Sequence, residues 1–320
     1  MRSQGDTEKR LPEWLRIRRD SKKLREVKVR LRKTSVSTVC EEARCPNITE
    51  CFSRPAAAFL ILGDVCTRSC RYCSVKKGIP GPPDVSEPYR IARAASDLEL
   101  KHIVITSVTR DDLADKGARH FYETIIETGK QNPGSDIEVL TPDFSGRKDL
   151  VELVLGAGPE VFNHNIETIG RLQGLIRPGA SLERSLDIIR WAQEISGKSL
   201  VKSGFMVGMG ETEDEILDLL HSLKQAGCDI VTIGQYMRPS KAQIPVNHYW
   251  HPDHFSKWSE YGLSIGIDHV FSAPLVRSSY NAQHSFHGVI TRRSCKNGRS
   301  SAKIALSDND NKKHNTSVRS

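Results

Sequence analysis

Residues 58–73 read Ala-Phe-Leu-Ile-Leu-Gly-Asp-Val-Cys-Thr-Arg-Ser-Cys-Arg-Tyr-Cys. The first half is a short apolar run broken by Gly63 and Asp64, the pattern of a buried strand in a parallel sheet. Three cysteines in C-x3-C-x2-C spacing follow at once, at the carboxyl end of the strand, where ligands of such sheets gather. Downstream the alternation repeats. Apolar runs at 102–108, 136–141, 161–166, 200–207 and 229–234 read as strands, and amphipathic stretches at 88–99, 116–129, 147–155, 181–195 and 212–226 as helices. Ser181 and Thr212 stand where side-chain caps belong, each with an early acidic residue, and Gly197 and Gly227 sit at the stops.

Six strands alternating with helices predict an α/β chain with a parallel sheet. The expected form is a partial (βα)6 TIM-type barrel; periodicity alone leaves a flat doubly wound sheet open. The expected division is a basic arm with a cysteine segment at 1–54, the barrel at 55–275, a C-terminal segment at 276–290, and a disordered basic tail at 291–320.

The net charge of +8 lies at the ends of the chain. Residues 1–33 hold thirteen Lys/Arg against five Asp/Glu, and 291–320 hold eight against two, so the middle is mildly acidic. Such ends read as solvated arms or as contacts for an acidic protein, and a dedicated nucleic-acid function is not expected. No apolar run is long enough to span a bilayer and no secretory signal opens the chain, so no membrane partner and a cytoplasmic location are expected.

Six of the eight cysteines fall in two triplets: Cys66, Cys70 and Cys73, and upstream Cys40, Cys45 and Cys51 in C-x4-C-x5-C spacing. A chain of this size with no secretory signal has little use for disulfides. Close thiolates suit zinc or an iron–sulfur cluster. Structural zinc wants four ligands in closed coordination, which neither triplet offers. Three thiolates leave one iron of a tetranuclear cluster without a protein ligand, where a small molecule can chelate. The upstream triplet, by spacing alone, leaves zinc and iron–sulfur both open.

The C-x3-C-x2-C motif after the first barrel strand resembles the radical S-adenosylmethionine superfamily, and the upstream C-x4-C-x5-C narrows the resemblance to lipoyl synthases. Similar stretches run in order from about Leu11 to Ala282: Pro-Glu-Trp-Leu-Arg (12–16), both triplets, Ile-Thr-Ser-Val-Thr-Arg-Asp-Asp-Leu (105–113), Val-Phe-Asn-His-Asn-Ile-Glu-Thr (161–168), Lys-Ser-Gly-Phe-Met-Val-Gly-Met-Gly-Glu (202–211), Gly-Gln-Tyr-Met-Arg-Pro-Ser (234–240) and Arg-Ser-Ser-Tyr (277–280). Thr109 and Arg238 depart from the family pattern.

The resemblance implies two 4Fe–4S clusters and S-adenosylmethionine. Cys66, Cys70 and Cys73 would hold the catalytic cluster. Cys40, Cys45 and Cys51, with Ser278 (less readily Ser279), would hold an auxiliary one, with Arg277 beside it. Sulfur from the auxiliary cluster would enter carbons 6 and 8 of a protein-bound octanoyl-lysine. The implied partners are an octanoylated lipoyl carrier domain or glycine-cleavage H protein, an electron donor such as ferredoxin or flavodoxin, and an iron–sulfur carrier for repair. Expected contacts of S-adenosylmethionine are Ser107, Asn165, Glu167, Lys202, Gly208, Glu211 and Gln235. Taken without the resemblance, each of these reads equally as a cap or loop residue. Two other classes compete: a different radical sulfur inserter, which should lack the upstream triplet and Arg-Ser-Ser-Tyr, and a metal-stabilised binding protein. Cys228 reads as a small buried hydrophobe.

Overall fold

The computed structural model describes residues 11–16, 25, 29, 36–45, 47–51 and 57–296. The strands are β1 (Ser37–Thr38), β2 (Ala58–Ile61), β3 (Val65–Cys66), β4 (Lys76–Lys77), β5 (His102–Ser107), β6 (Asp136–Leu140), β7 (Val161–Asn163), β8 (Leu200–Val207), β9 (Ile230–Gln235) and β10 (His269–Ser272). Eight form one sheet in the order β1-β2-β5-β6-β7-β8-β9-β10, and β3 pairs with β4 in a separate ribbon. All neighbours in the large sheet are parallel except β1, which runs antiparallel to β2.

The order follows the chain, as right-handed strand–helix–strand crossovers produce. Helices Glu87–Asp97, Ala118–Gln131, Lys148–Leu155, Leu182–Ile195 and Glu213–Gln225 make the crossovers. The sheet is open, with β1 and β10 at its ends. It is the partial barrel that the alternation predicts, with a seventh parallel strand, β10, added. Alternate residues of each strand face opposite ways. Ile103, Ile105, Val139, Phe162, Val201, Val207, Val231 and Ile233 join the apolar core with helix residues such as Ile91, Phe121, Ile188 and Leu220. The other parity leaves a polar interior, in which Lys202 and Asn163 both donate to Glu138.

The structure differs from the sequence expectation at four places. The run 58–65 breaks at Gly63, whose φ is +88°, so β2 and β3 belong to different sheets. Helices Gly170–Ile176 and Pro252–Ser264 and strand β10 lie in stretches without a clear period. Gly227 ends its helix with φ +85°, whereas Gly197 does not adopt a left-handed φ. The disorder expected from 291 onward gives way to a helix, Ala282–Lys296; residues 297–320 lie outside the described residues.

That last helix covers the amino-terminal end of the sheet. Val289 packs with Val161, Leu200 and Ile230, the first residues of β7, β8 and β9. His287 Nε2 lies 3.1 Å from Asp136 Oδ2, and the Arg293 guanidinium bonds Asp229 and Asp268. Among the described residues no helix is long and apolar enough to cross a membrane.

Candidate active site at the strand ends

A cavity of about 720 Å³ opens at the carboxyl ends of the strands. Cys66, Cys70 and Cys73 line it, and so do Cys40 and Cys45 of the other triplet and Ser278 from the far end of the chain. The 66–73 loop leaves β3 and is tied on several sides. Thr67 donates its N–H to Thr109 O at 3.1 Å, Arg71 donates to Ile176 O at 2.8 Å, and Cys73 O accepts from the Gln243 amide. The Cys66 sulfur accepts N–H bonds from Arg68 and Thr109, each at 3.4 Å.

Cys40 and Cys51 of the upstream triplet lie in two single-turn helices after β1, Val39–Glu42 and Ile48–Cys51, with Cys45 between them. Asn47 donates its side-chain amide to Leu275 O, so this segment is fastened to the one before Ser278. Ser74 donates to Glu42 O at 2.7 Å and joins the two cysteine segments. Two glycines make room for the returning chain. A Cβ on Gly234 would stand 2.0 Å from Val276 O, and one on Gly204 would meet Thr232 Oγ1 at 2.3 Å and Ser278 Oγ at 3.2 Å. Only glycine allows segment 273–280 to lie so close over β8 and β9.

None of the seven described cysteines is in a disulfide. Burial pushes the Cys73 thiol up to about 11 and raises Cys70 as well, against the pull of Arg177 on the latter. Cys40 is raised by burial and then by Cys45 and Cys51, which lie in its field. A thiol binds metal only as the thiolate, so in these raised groups the cation has to displace the proton. Among the described residues no three His, Cys, Asp or Glu side chains close on a point as a single metal ion requires. The fit to iron–sulfur therefore rests on the donor set and the shared cavity.

Above β7, Asn165 donates to Glu167 Oε1 at 3.0 Å and to Ser278 Oγ at 2.6 Å. Glu167 has φ +69°, a strained value that turns its carboxyl to the cavity. Burial raises that carboxyl's pKa, while Arg177 and Asn165 work against the rise. Arg277 sits in the field of both Cys45 and Glu167. Asn165 Oδ1 and Ser107 Oγ are buried without a protein partner on the cavity wall. Such orphaned atoms commonly await a ligand.

Four sequence-expected contacts lie elsewhere. Lys202 is 1% exposed, and its amine bonds both oxygens of Glu138 at 2.8 and 3.0 Å, beneath the cavity. Gly208, Glu211 and Gln235 form a separate knot: the Glu211 carboxylate accepts the N–H groups of Gly208 and Met209 and the Trp250 indole, and the Gln235 amide bonds His248 O and Trp250 N. They hold segment 247–250, and none lines the cavity. Arg177, which bonds Ile166 O at 2.8 Å, and Asn47 were not expected from the sequence; the Asn47 partner, Leu275, lies 228 residues on. Cys51 does not line the cavity, and the side chain of Cys295 lies outside the described residues. Cys228 is buried with its thiol on Ile230 O.

An open parallel barrel with three thiols in the loop after its first barrel strand is the architecture of radical S-adenosylmethionine enzymes, and the sequence profile of the Radical SAM superfamily matches residues 60–234. The crystal structure of methylornithine synthase (PylB) superposes with a TM-score of 0.50 at 14% identity, covering 89% of this chain and 91% of that one, a likeness of fold. The lipoyl synthase of Caldicellulosiruptor saccharolyticus is 50% identical over 275 residues, 86% of this chain and 96% of the relative. That of Caldanaerobacter subterraneus is 48% identical over 273 residues, 85% and 96% of the two chains. This chain belongs to the lipoyl synthase family. It is a radical S-adenosylmethionine sulfurtransferase, and its superfamily works with a 4Fe–4S cluster.

Proposed function

We propose that the enzyme completes a lipoyl group in place, putting sulfur on C6 and C8 of an octanoyl chain joined to a lysine of a carrier protein. A 4Fe–4S cluster with S-adenosylmethionine supplies, when bound, a carbon radical able to take hydrogen from an unactivated methylene. The protein's own residues do the rest. Cys66, Cys70 and Cys73 would hold that cluster with one iron free of protein ligands. Cys40, Cys45, Cys51 and Ser278 would hold a second cluster as the sulfur source. A serine oxygen is a harder ligand than a thiolate and releases iron more readily, which suits a cluster that is consumed.

Ser107, Asn165 and Glu167 are the groups positioned to orient S-adenosylmethionine, through two unpartnered polar atoms and one carboxylate. Arg277 and Arg177 balance charge between the thiols and Glu167. Leu140, Met206, Met237 and Val276 supply apolar wall for an acyl chain. Each methylene buried there contributes about 0.8 kcal/mol. The carrier is read as an octanoylated lipoyl domain or glycine-cleavage H protein, with ferredoxin or flavodoxin as electron donor and an iron–sulfur carrier for repair.

The observation that carries this reading is that cysteines of both triplets and Ser278 open on one cavity. Cys70→Ala, reconstituted without oxygen, should make no 5′-deoxyadenosine from S-adenosylmethionine, whereas wild type makes it and adds two sulfur atoms to an octanoyl-lysyl peptide by mass. Wild-type-like cleavage by the variant would remove the catalytic role of this triplet.

A further inference from the structure

We propose that Arg68, inside the Cys66–Cys70 span, is a positioning residue that presets the thiolate loop against two neighbouring strand-end loops. Its guanidinium bonds Asp111 with both arms, Nε to Oδ2 at 2.7 Å and Nη2 to Oδ1 at 2.9 Å, and Nη2 also reaches Asp143 Oδ1 at 2.6 Å. Asp111 lies in the loop after β5 and Asp143 in the loop after β6. One side chain thus ties three consecutive strand ends together. Planar, two-armed recognition of carboxylates is a property of arginine that lysine does not reproduce.

The surroundings are built for this clamp. The Arg68 side chain is 10% exposed and that of Asp143 is fully buried. Asp143 is presented by a turn in which Phe144 and Ser145 both take left-handed φ values, +43° and +55°. Ser145 N–H bonds Asp143 Oδ1 at 3.0 Å, and Arg184 holds its other oxygen at 3.2 Å. Two successive non-glycine residues in that conformation carry strain, which persists where the surroundings over-determine it. A second fastening runs alongside: Thr67 Oγ1 donates to Thr109 O at 2.9 Å and accepts the Asp111 N–H at 3.1 Å.

Charge is the lesser part of the role of Arg68. It favours the Cys70 thiolate less than Arg177 does, and Arg68 and Arg184 face Asp111 and Asp143, two positive charges against two negative. What it supplies is geometry. Three sulfurs on a short loop lose their freedom before iron arrives, which favours capture and slows release.

The inference rests on the reading of Cys66, Cys70 and Cys73 as iron ligands, and the test separates the two. Arg68→Gln, Arg68→Lys and Asp111→Asn are reconstituted without oxygen beside wild type. Iron release to a ferrous chelator and alkylation of Cys66, Cys70 and Cys73 in the metal-free chains are followed by mass spectrometry. Release and alkylation should both rise about ten-fold or more in Arg68→Gln. Arg68→Lys should restore part of the difference, and Asp111→Asn, at a more exposed carboxylate, should show a smaller rise in both. Rates within two-fold of wild type in Arg68→Gln overturn the proposal; if that variant does not fold, the same result in Asp111→Asn does. Wild type that takes up no iron sinks the cluster reading instead, and alkylation alone then judges the clamp.

Discussion

Lys202 shows what a buried ionisable side chain does when its partner is another side chain. It and Glu138 are each 1% exposed, with His102 and Asn163 completing the layer beneath the cavity. Burial would raise the Glu138 carboxyl, yet Lys202 and His102 hold it down at about 2. A depressed carboxylate stabilises the fold above its ordinary value of 4.5, and that contribution is lost as pH falls from there towards about 2. Lys202→Met takes the amine from a fully buried carboxylate, leaving it only His102 and the Asn163 amide, and should cost about 3 kcal/mol of stability. The loss should shrink at acid pH, where Glu138 is neutral, and adding Glu138→Gln should restore much of it. Thermal unfolding across pH measures this; an unchanged melting temperature with loss of S-adenosylmethionine affinity would return Lys202 to the ligand site. Nothing in the sequence around Lys202 distinguishes these roles, because its partner lies 64 residues earlier, two strands away in the sheet.

Elements whose ends are set by local bonds were legible. Ser181 accepts the Arg184 N–H at 3.2 Å, and Thr212 and Glu215 cap each other reciprocally, so both helices start where the sequence places them. The helix Ala282–Lys296 was not legible in this way. Its buried side chains Ala282, Ser285 and Val289 make a narrow stripe among His, Arg and Ser; Ala282 joins the main core and Val289 the sheet floor. Val289→Ala removes two buried methyl groups from the contact with Val161, Leu200 and Ile230 and should cost about 2 kcal/mol. Ile290→Ala, at a 40% exposed neighbour, should be close to neutral. Equal melting temperatures for the two variants would show that the helix does not close the barrel floor.

Across the whole molecule the two triplets have separable tasks in the proposed reaction. Cys45→Ala should leave reductive cleavage of S-adenosylmethionine measurable and stop sulfur insertion, read as 5′-deoxyadenosine without the two-sulfur mass gain. A variant that still makes lipoyl product would take the upstream triplet out of the chemistry. The arrangement depends on the returning chain: Asn47 bonds Leu275 O, Asn165 bonds Ser278, and Gly204 and Gly234 leave the space between.

By itself the sequence determined the alternating strands and helices, the caps, and the thiol spacing, because each is written in residues within a turn or a strand of one another. From the same local patterns came the resemblance that the relatives bear out. Only the tertiary structure decided which polar residues face the cavity. Asn165 and Glu167 reach it, while Lys202 bonds Glu138 two strands away, Glu211 bonds Gly208 and Met209 within its own turn, and Gln235 bonds segment 248–250. A polar side chain takes the partner that burial brings to it, and for Lys202 and Gln235 that partner comes from another part of the chain, where no local pattern records it.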